Sequence, residues 1–144
     1  MKTICRLDNF LSIKECNSVI KDFNDNIKHT RVYRDTRLLE VLYNPVCDKL
    51  NNTFKFYNFS NPDNMEIVLW EKGSQMDFHY DEGGNTFAFI VYLNDEYSGG
   101  ETVIDNVIIK PKTGRLVLFS NGSYLHKVNK IKSKKRYTLT GWYK

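Results

Sequence analysis

The chain has 144 residues, of which 41% are hydrophobic and 14% aromatic, so we expect one domain with a substantial core. This composition excludes collagen, a repeat array and an intrinsically disordered chain. The formal net charge is only +4, and no apolar run is long enough for a signal peptide or a membrane span. Three widely spaced cysteines, Cys5, Cys16 and Cys47, predict reduced thiols and a cytoplasmic location. Because no span is predicted, we expect no membrane partner.

The first 64 residues are predicted to form a helical support region. Residues 4–7 are apolar enough for a short strand. Ser12 and Glu15 have the spacing of a capping box, in which each side chain bonds to the backbone of the other residue. Apolar residues then recur at helical intervals, so the sequence predicts an amphipathic helix over residues 13–24.

The stretch that follows predicts a loop and then a second helix. Residues 25–34 are polar and favour a loop. The apolar positions at helical spacing are Leu38, Leu39, Leu42 and Val46, with Leu50, Phe54 and Tyr57 able to continue the face. Pro45 lies inside this pattern and is expected to kink or split the helix. Residues 58–64 are the clearest break in the chain.

From residue 65 onward the pattern changes to alternation with a period of two, which is typical of strands. Strands are predicted at residues 66–70, 75–80, 86–93, 101–104, 107–110, 115–119, 125–131 and 137–142. One face of the third carries Phe87, Phe89, Val91 and Leu93, and the other carries Thr86, Ala88, Ile90 and Tyr92 toward the lumen. A double glycine, Gly99-Gly100, lies in a predicted loop.

These elements predict a mainly β fold with flanking helices. We expect a double-stranded β-helix, or jelly roll, with two or three N-terminal helices packed outside it. Residues 1–144 are then a single domain, made of the support region at 1–64 and a jelly-roll core at 65–144.

The triplet His79-Tyr80-Asp81 is the strongest chemical signal in the chain. Side chains two residues apart in a strand point the same way, so His79 and Asp81 can bind one metal ion together. His126, on a late strand, is the best third ligand. Two histidines and one carboxylate with open positions are typical of non-haem Fe(II) oxygenases. A lone strand histidine, by contrast, is usually an ordinary core or surface residue.

Further motifs accompany this triplet in a fixed order. They are Val91-Tyr92-Leu93-Asn94, Gly99-Gly100-Glu101-Thr102, Pro111-x-x-Gly114, Leu118-Phe119, His126-x-Val128 and Arg136-Tyr137-x-Leu139-x-Gly141-Trp142. With these motifs the second half closely resembles the Fe(II)/2-oxoglutarate dioxygenases of the prolyl hydroxylase type. The opening Phe10-Leu11-Ser12 also looks like the first helix of that family. The resemblance is weakest over residues 24–64.

The resemblance implies a set of cofactors and binding residues. Fe(II) would be held by His79, Asp81 and His126, and 2-oxoglutarate would chelate the iron, with ascorbate as a possible reductant. The distal carboxylate of 2-oxoglutarate would meet Arg136, whose guanidinium can form two parallel hydrogen bonds with it. Three further residues are candidates for the 2-oxoglutarate site: Tyr92, Thr138 and Trp70. Trp70 stands where the family often has a tyrosine, and it is either a cofactor contact or core.

The implied activity is hydroxylation of a peptidyl side chain, with proline as the first candidate and with release of succinate and CO2. Related halogenases lack a carboxylate at the position of Asp81, so this residue argues for hydroxylation. Specificity is expected to come from the loops at residues 24–36, 73–76 and 81–85. The partner is then a peptide or protein substrate, and the enzyme a monomer or homodimer.

Several alternatives remain open from the sequence. Lysine side chains, free amino acids and small metabolites are other substrates of this scaffold. The basic segment after residue 126 favours either a solvated surface or contact with phosphate, as in a nucleic-acid oxygenase. The demethylase branch has a second arginine where this chain has Trp142, which argues against nucleic acid. A non-catalytic jelly-roll binding module is the last alternative.

Overall fold

The computed structural model describes residues 3–57, 59, 62–81, 87–120 and 122–143, and within these the chain is built mainly from antiparallel strands. The strands are β1 (Ile4–Leu7), β2 (Arg31–Tyr33), β3 (Thr36–Glu40), β4 (Asn64–Trp70), β5 (Met76–His79), β6 (Phe87–Tyr92), β7 (Ser98–Gly99), β8 (Thr102–Ile104), β9 (Val107–Ile109), β10 (Leu116–Ser120), β11 (His126–Val128), β12 (Ile131–Ser133) and β13 (Arg136–Tyr143). The helices are α1 (Ile13–Asp25) and α2 (Asn44–Thr53), with 3-10 turns at Ile27–His29 and Lys55–Tyr57.

The strands form one large sheet, one smaller sheet and a short pair. The large sheet has the order β1-β10-β6-β13-β4-β3-β2, and the smaller has the order β5-β11-β8-β9. The pair joins β7 to β12. Every paired strand is antiparallel, and the two main sheets enclose a cavity between them. The predicted jelly roll with flanking helices is confirmed.

Helix α1 packs on the outer face of the large sheet, as its pattern predicts. Ser12 Oγ accepts from the backbone N–H of Glu15 at 3.0 Å, and the Glu15 carboxylate accepts from the N–H of Ser12 at 2.9 Å. The capping box therefore begins the helix where the sequence places it. Its apolar stripe joins the main core, where Phe23 meets the edge of the Tyr137 ring at 5.8 Å.

The prediction of a second helix beginning near Leu38 is wrong. Residues 36–40 form β3, which pairs with β4 on one side and β2 on the other. Leu38 packs on the cavity side and Leu39 on the helix side, because a central strand buries both faces. Two adjacent apolar residues fit a helical face equally well, so the pattern was ambiguous. Pro45 lies in the first turn of α2, where it needs no hydrogen-bond partner and kinks nothing.

The predicted loop over residues 25–34 is also partly wrong, because it contains β2. This strand lies at the edge of the large sheet, and all three of its side chains are exposed. A short edge strand whose side chains are all exposed has no apolar alternation, so the sequence offers no strand signal here.

Strand β6 has the two faces that its sequence predicts. Phe87, Phe89 and Val91 join the core beneath the helices, whereas Ala88 and Tyr92 join a separate cluster between the sheets. Thr86 and the turn at residues 82–85 lie outside the described residues.

The strand predicted at residues 125–131 is divided into β11 and β12, which pair with different neighbours. The loop predicted around the double glycine contributes β7, the partner of β12. Gly99 has a φ of 76°, and a Cβ at this position would lie 2.0 Å from the carbonyl oxygen of Lys130. The glycine is therefore required by the close approach of these two strands.

The division into a support region and a jelly-roll core stays a prediction. Strands β1, β2 and β3, which belong to the first 64 residues, are part of the large sheet. Among the described residues, no helix is both long and apolar enough to cross a membrane.

Candidate active site

The two main sheets enclose an open cavity of about 450 Å³. Its floor and walls come from β4, β6, β13, β5, β10 and β11, and its mouth from β2 and the turn that follows it. Polar and aromatic side chains that line the cavity include His79, Asp81, His126, Arg136, Thr138, Trp70, Trp142, Arg31, Tyr33, Arg34, Glu66 and Tyr80. A cavity of this size suits a small cofactor together with one substrate side chain.

His79, Asp81 and His126 meet at one wall of the cavity. His79 ends β5 and His126 begins β11, and the two residues are directly paired across these strands. The Nε2 atoms of both histidines lie 3.2 Å from Oδ1 of Asp81. One possible ligand atom from each residue lies within 4.8 Å of those of the other two. The sheet thus brings together the three residues that the sequence predicts as metal ligands.

Each histidine ring is oriented by a hydrogen bond at its Nδ1 atom. His79 Nδ1 lies 2.7 Å from the backbone carbonyl of Asp77, and His126 Nδ1 lies 3.4 Å from that of Tyr124. A carbonyl oxygen only accepts, so Nδ1 donates in each ring, and this directs Nε2 toward Asp81 Oδ1, where it would serve as the ligand atom for a bound metal. This outer arrangement is the usual one for histidines that bind metals.

Besides the two histidines, Trp142 contacts Asp81: its indole Nε1 donates to Oδ2 at 2.8 Å. Burial raises the pKa of the Asp81 carboxyl, but hydrogen bonds with His126, His79 and Trp142 outweigh burial and hold that pKa well below its usual range. The hydrogen bond with Asp81 raises the pKa of His79, and burial partly opposes this effect. Asp81 is therefore an ionised oxygen ligand at neutral pH.

Arg136 lies at the closed end of the cavity and is only 1% exposed. Its guanidinium lies 5.0 Å from the Trp70 ring and 5.3 Å from the Tyr92 ring, and it donates to the Thr102 hydroxyl at 3.1 Å. Within the described part of the chain, no carboxylate forms an ion pair with it. A buried, unpaired cation is costly, so this position requires an anionic ligand.

Two orphaned donors at this end of the cavity test whether a dicarboxylate fits. The Nε of Arg136 and the indole Nε1 of Trp70 are both buried, and neither has a hydrogen-bond partner among the described residues. Buried polar groups are almost always paired, so these two indicate a missing acceptor. A carboxylate of 2-oxoglutarate supplies both the negative charge and the acceptor oxygens. Together with the donor set of two imidazoles and one carboxylate, the site fits Fe(II) and 2-oxoglutarate.

Of the residues predicted to contact 2-oxoglutarate, Arg136, Thr138 and Trp70 line the cavity. Tyr92 does not line it: its hydroxyl is hydrogen-bonded to the Thr102 hydroxyl and to the Ile109 carbonyl. Tyr92 packs against the guanidinium of Arg136 instead, so the structure places it behind the cofactor end of the cavity.

Four residues of the site lie in segments that the sequence singled out, but no role in the site was predicted for any of them. Trp142 lies six residues after Arg136, on the same face of β13, so strand alternation could have placed it in the cavity. Thr102 belongs to the double-glycine motif, but nothing local indicates that it is the partner of both Arg136 and Tyr92. Arg31 and Arg34 lie in the predicted specificity loop at residues 24–36, and they reach the cavity mouth because β2, a strand that the sequence did not predict, joins the sheet.

Comparison with known proteins agrees with this geometry. Residues 65–144 match the family model described as the 2OG-Fe(II) oxygenase superfamily. No curated protein sequence matches the chain.

Solved structures share the fold. A viral collagen prolyl hydroxylase from Paramecium bursaria Chlorella virus-1, determined as its 2OG complex, is 22% identical with a TM-score of 0.77, covering 96% of this chain and 93% of the other. A Pseudomonas putida prolyl-4-hydroxylase is 17% identical with a TM-score of 0.81, covering 100% and 93%. A Trichoplax adhaerens prolyl hydroxylase, in complex with a hypoxia inducible factor peptide fragment, is 18% identical with a TM-score of 0.77, covering 97% and 82%.

Proposed function

This chain belongs to the 2OG-Fe(II) oxygenase superfamily, and we propose that it hydroxylates a prolyl side chain of a peptide or protein substrate. The enzyme class itself follows from the family: the protein is a dioxygenase that depends on Fe(II) and 2-oxoglutarate. The observation that carries the proposal is the presence, in one cavity, of a metal-binding face and a buried arginine without a carboxylate partner.

We assign the binding of Fe(II) to His79, Asp81 and His126. The Nε2 atoms of both histidines and Oδ1 of Asp81 converge on the same region of the cavity. Trp142 engages the other carboxylate oxygen, which leaves a single oxygen of Asp81 directed at the metal. Three protein ligands on one face leave further positions for cofactor and oxygen.

The far carboxylate of 2-oxoglutarate is assigned to Arg136, with Thr138 and Trp70 as additional donors. Thr138 and Arg136 are two residues apart on β13 and share the cavity face. The guanidinium stays charged at any working pH, and its fork matches a carboxylate. Burial strengthens this pairing because the site has a low local dielectric.

Bound in these positions, Fe(II) and 2-oxoglutarate supply the oxidising chemistry that hydroxylates an unactivated C–H bond, with succinate and CO2 as coproducts. The protein positions the substrate carbon near the metal and limits water around it. Apolar side chains that line the cavity suit this task; they are Val68, Ala88, Ile90, Phe119 and Val128.

The chemistry of the cavity mouth favours proline over lysine as the oxidised residue. Tyr33 and Tyr80 are 45% and 54% exposed there, and flat aromatic faces suit an apolar ring. The described carboxylates that line the cavity, Asp81 and Glu66, are both engaged, Glu66 by Arg31 at 3.2 Å. No described acid is therefore available to bind a lysine ammonium. The prolyl hydroxylase neighbours support the same substrate.

The nucleic-acid alternative has less support. The position of the second demethylase arginine is occupied by Trp142, which is already committed to Asp81. Of the lysines after residue 126, those that the structure describes belong to β11, β12 and the connections beside them, and none of these lines the cavity. Free amino acids and small metabolites remain as alternative substrates, and they are compared directly with peptides below.

The cofactor assignment is tested without a substrate. Metal-free protein is given Fe(II) and 2-oxoglutarate under anaerobic conditions, and the visible iron-to-2-oxoglutarate charge-transfer band is recorded. We expect a band in the wild type and none in His79→Ala. Arg136→Lys keeps the charge but loses the forked geometry, so it should weaken 2-oxoglutarate binding by about 10-fold or more. Circular dichroism of each variant verifies folding. A folded wild-type protein without a band would contradict the assignment.

The substrate is tested next with prolyl, lysyl and free amino acid candidates under air. We expect one added oxygen atom on proline-containing peptides by mass spectrometry, with matching formation of succinate. Hydroxylation of a free amino acid or of lysine, but not of prolyl peptides, would overturn the proposed substrate while leaving the enzyme class intact.

A further inference from the structure

A positive charge without a carboxylate partner stands at the mouth of the cavity. Arg34 lines this mouth from the turn between β2 and β3, and its side chain lies over the Tyr33 ring at 5.5 Å. Among the described residues, no acid forms an ion pair with it.

The backbone holds Arg34 in this place at some cost. Its φ is 51°, a left-handed conformation that residues other than glycine rarely adopt. The turn is fixed on both sides of the strained residue: Thr36 Oγ1 donates to the Tyr33 carbonyl at 2.7 Å, and the buried Ser74 donates to the Asp35 carbonyl at 2.8 Å. Strained residues that their surroundings hold in place concentrate at functional positions.

The charges that line the cavity leave Arg34 in excess. Arg31 forms an ion pair with Glu66, so the charges of these two side chains cancel. The formal charges at the closed end would also sum to zero with the cofactors bound. The positive charges are those of one divalent iron and the Arg136 guanidinium, and the negative charges are those of the Asp81 carboxylate and the two carboxylates of 2-oxoglutarate. The charge of Arg34 therefore has no counterpart among the described residues or the cofactors, although Arg34 lines the cavity.

We propose that Arg34 binds a carboxylate of the substrate beside the residue that is oxidised, so that the enzyme selects acidic peptides. This inference rests on the proposed peptide hydroxylase function and adds the charge of the substrate to it. The carboxylate comes either from an Asp or Glu side chain or from the C-terminus of a short peptide. In both cases the Arg34 guanidinium can donate two parallel hydrogen bonds to the carboxylate, while its other face packs against the Tyr33 ring.

The experiment compares matched peptides that contain one proline. A single Glu is moved through the positions around the proline, and each peptide is paired with its Gln counterpart. Each is made with a free and with an amidated C-terminus. Since an exposed ion pair is weaker than a buried one, we expect the acidic peptides to have a kcat/KM on the order of 5- to 10-fold higher at one position.

Variants of Arg34 assign the preference to this residue. Arg34→Gln should lose the preference for acid, and Arg34→Glu should instead favour a Lys at the same peptide position. Arg6→Gln is the matched control, because Arg6 is an exposed arginine on β1, at the opposite edge of the large sheet from β2. The charge-transfer band should be unchanged in both Arg34 variants, which shows that the cofactor site is intact.

The two hypotheses fail in different ways. Turnover of prolyl peptides without any acid preference, or with a preference that survives Arg34→Glu, overturns this inference and leaves the proposed function standing. If no peptide is turned over, the proposed function fails. The inference is then tested by measuring, under anaerobic conditions, how tightly fluorescently labelled Glu and Gln peptides bind to the protein loaded with Fe(II) and 2-oxoglutarate. Tighter binding of the acidic peptides, lost in Arg34→Glu, supports it, and equal binding overturns it. A preference that amidation removes identifies the C-terminal carboxylate as the source.

Discussion

At the scale of single residues, the indole of Trp142 decides how Asp81 is presented. A free carboxylate can rotate and offer either oxygen to a metal. Here Trp142 Nε1 holds Oδ2 at 2.8 Å, while Oδ1 faces both histidines at 3.2 Å. Groups that orient a ligand in this way contribute to metal affinity without touching the metal.

Replacing Trp142 with Phe should weaken iron binding. Trp142→Phe keeps an aromatic ring in the cavity wall but removes the N–H, so the Asp81 carboxylate loses its fixed orientation. We expect the affinity for Fe(II) to fall by about 10-fold or more. The measurement is an anaerobic titration with Fe(II) at saturating 2-oxoglutarate, followed by the charge-transfer band.

The other tryptophan offers a contrast. Trp70 Nε1 has no hydrogen-bond partner in the part of the chain that the structure describes, so Trp70→Phe should leave the Fe(II) affinity at the wild-type level and change only the affinity for 2-oxoglutarate. Equal losses of iron affinity in the two variants would show that Trp142 acts only by filling space.

At the scale of elements, helix α1 depends on its first turn. The reciprocal hydrogen bonds of Ser12 and Glu15 pair two backbone N–H groups that would otherwise lack partners. The Glu15 carboxylate also lies in the first turn, where the helix dipole favours negative charge. The buried face of helix α1 covers the large sheet, so loss of the cap should lower the stability of the whole domain.

We therefore expect Ser12→Ala to lower the free energy of unfolding by about 1 kcal/mol. Ser18→Ala is the matched control on the same helix, because the exposed Ser18 hydroxyl only donates to the Lys14 carbonyl one turn back. Alanine has the higher helix propensity, so this variant should be neutral or slightly stabilising. Urea unfolding of the two variants beside the wild type measures both effects, and equal stabilities would argue against the cap.

At the scale of the whole molecule, ion pairs connect Asp8 to residues more than 100 positions later in the sequence. Asp8, just after β1, accepts from Arg115 Nε at 2.7 Å and from Lys112 at 3.3 Å. The hydrogen bond from Arg115 lowers the pKa of Asp8 from 3.8 to about 2, with Lys112 adding to the effect. The contact ties the first strand to the turn that precedes β10.

This pair predicts a pH dependence of stability. A carboxyl whose pKa is lower in the folded state stabilises the fold above its unfolded pKa, and the contribution is lost as the pH falls through the folded value. For Asp8 that window extends from about pH 4 down to about pH 2. Asp8→Asn should therefore flatten the fall in stability over this range. Thermal unfolding of wild type and variant across these pH values checks it, and parallel curves would contradict the assignment to Asp8.

Much of the fold could be predicted because its signals are local. The capping box and apolar stripe of α1, and the alternation in β6, depend on neighbours a few residues away. The predictions at β2 and β3 failed for the opposite reason. Whether residues 36–40 form a strand depends on β4, which begins 24 residues later, and no local period contains that information.

The fold class, helix α1 and the grouping of His79, Asp81 and His126 as a possible metal site could be predicted from the sequence, because residue spacing and ordered motifs carry those properties. How the site is completed depends on the tertiary structure. Trp142 meets Asp81, and Arg34 reaches the cavity mouth, because β13, β5 and β2 are brought to one cavity by strand pairing. Contacts between residues distant in sequence follow from long-range packing, and that is settled only when the whole chain has folded.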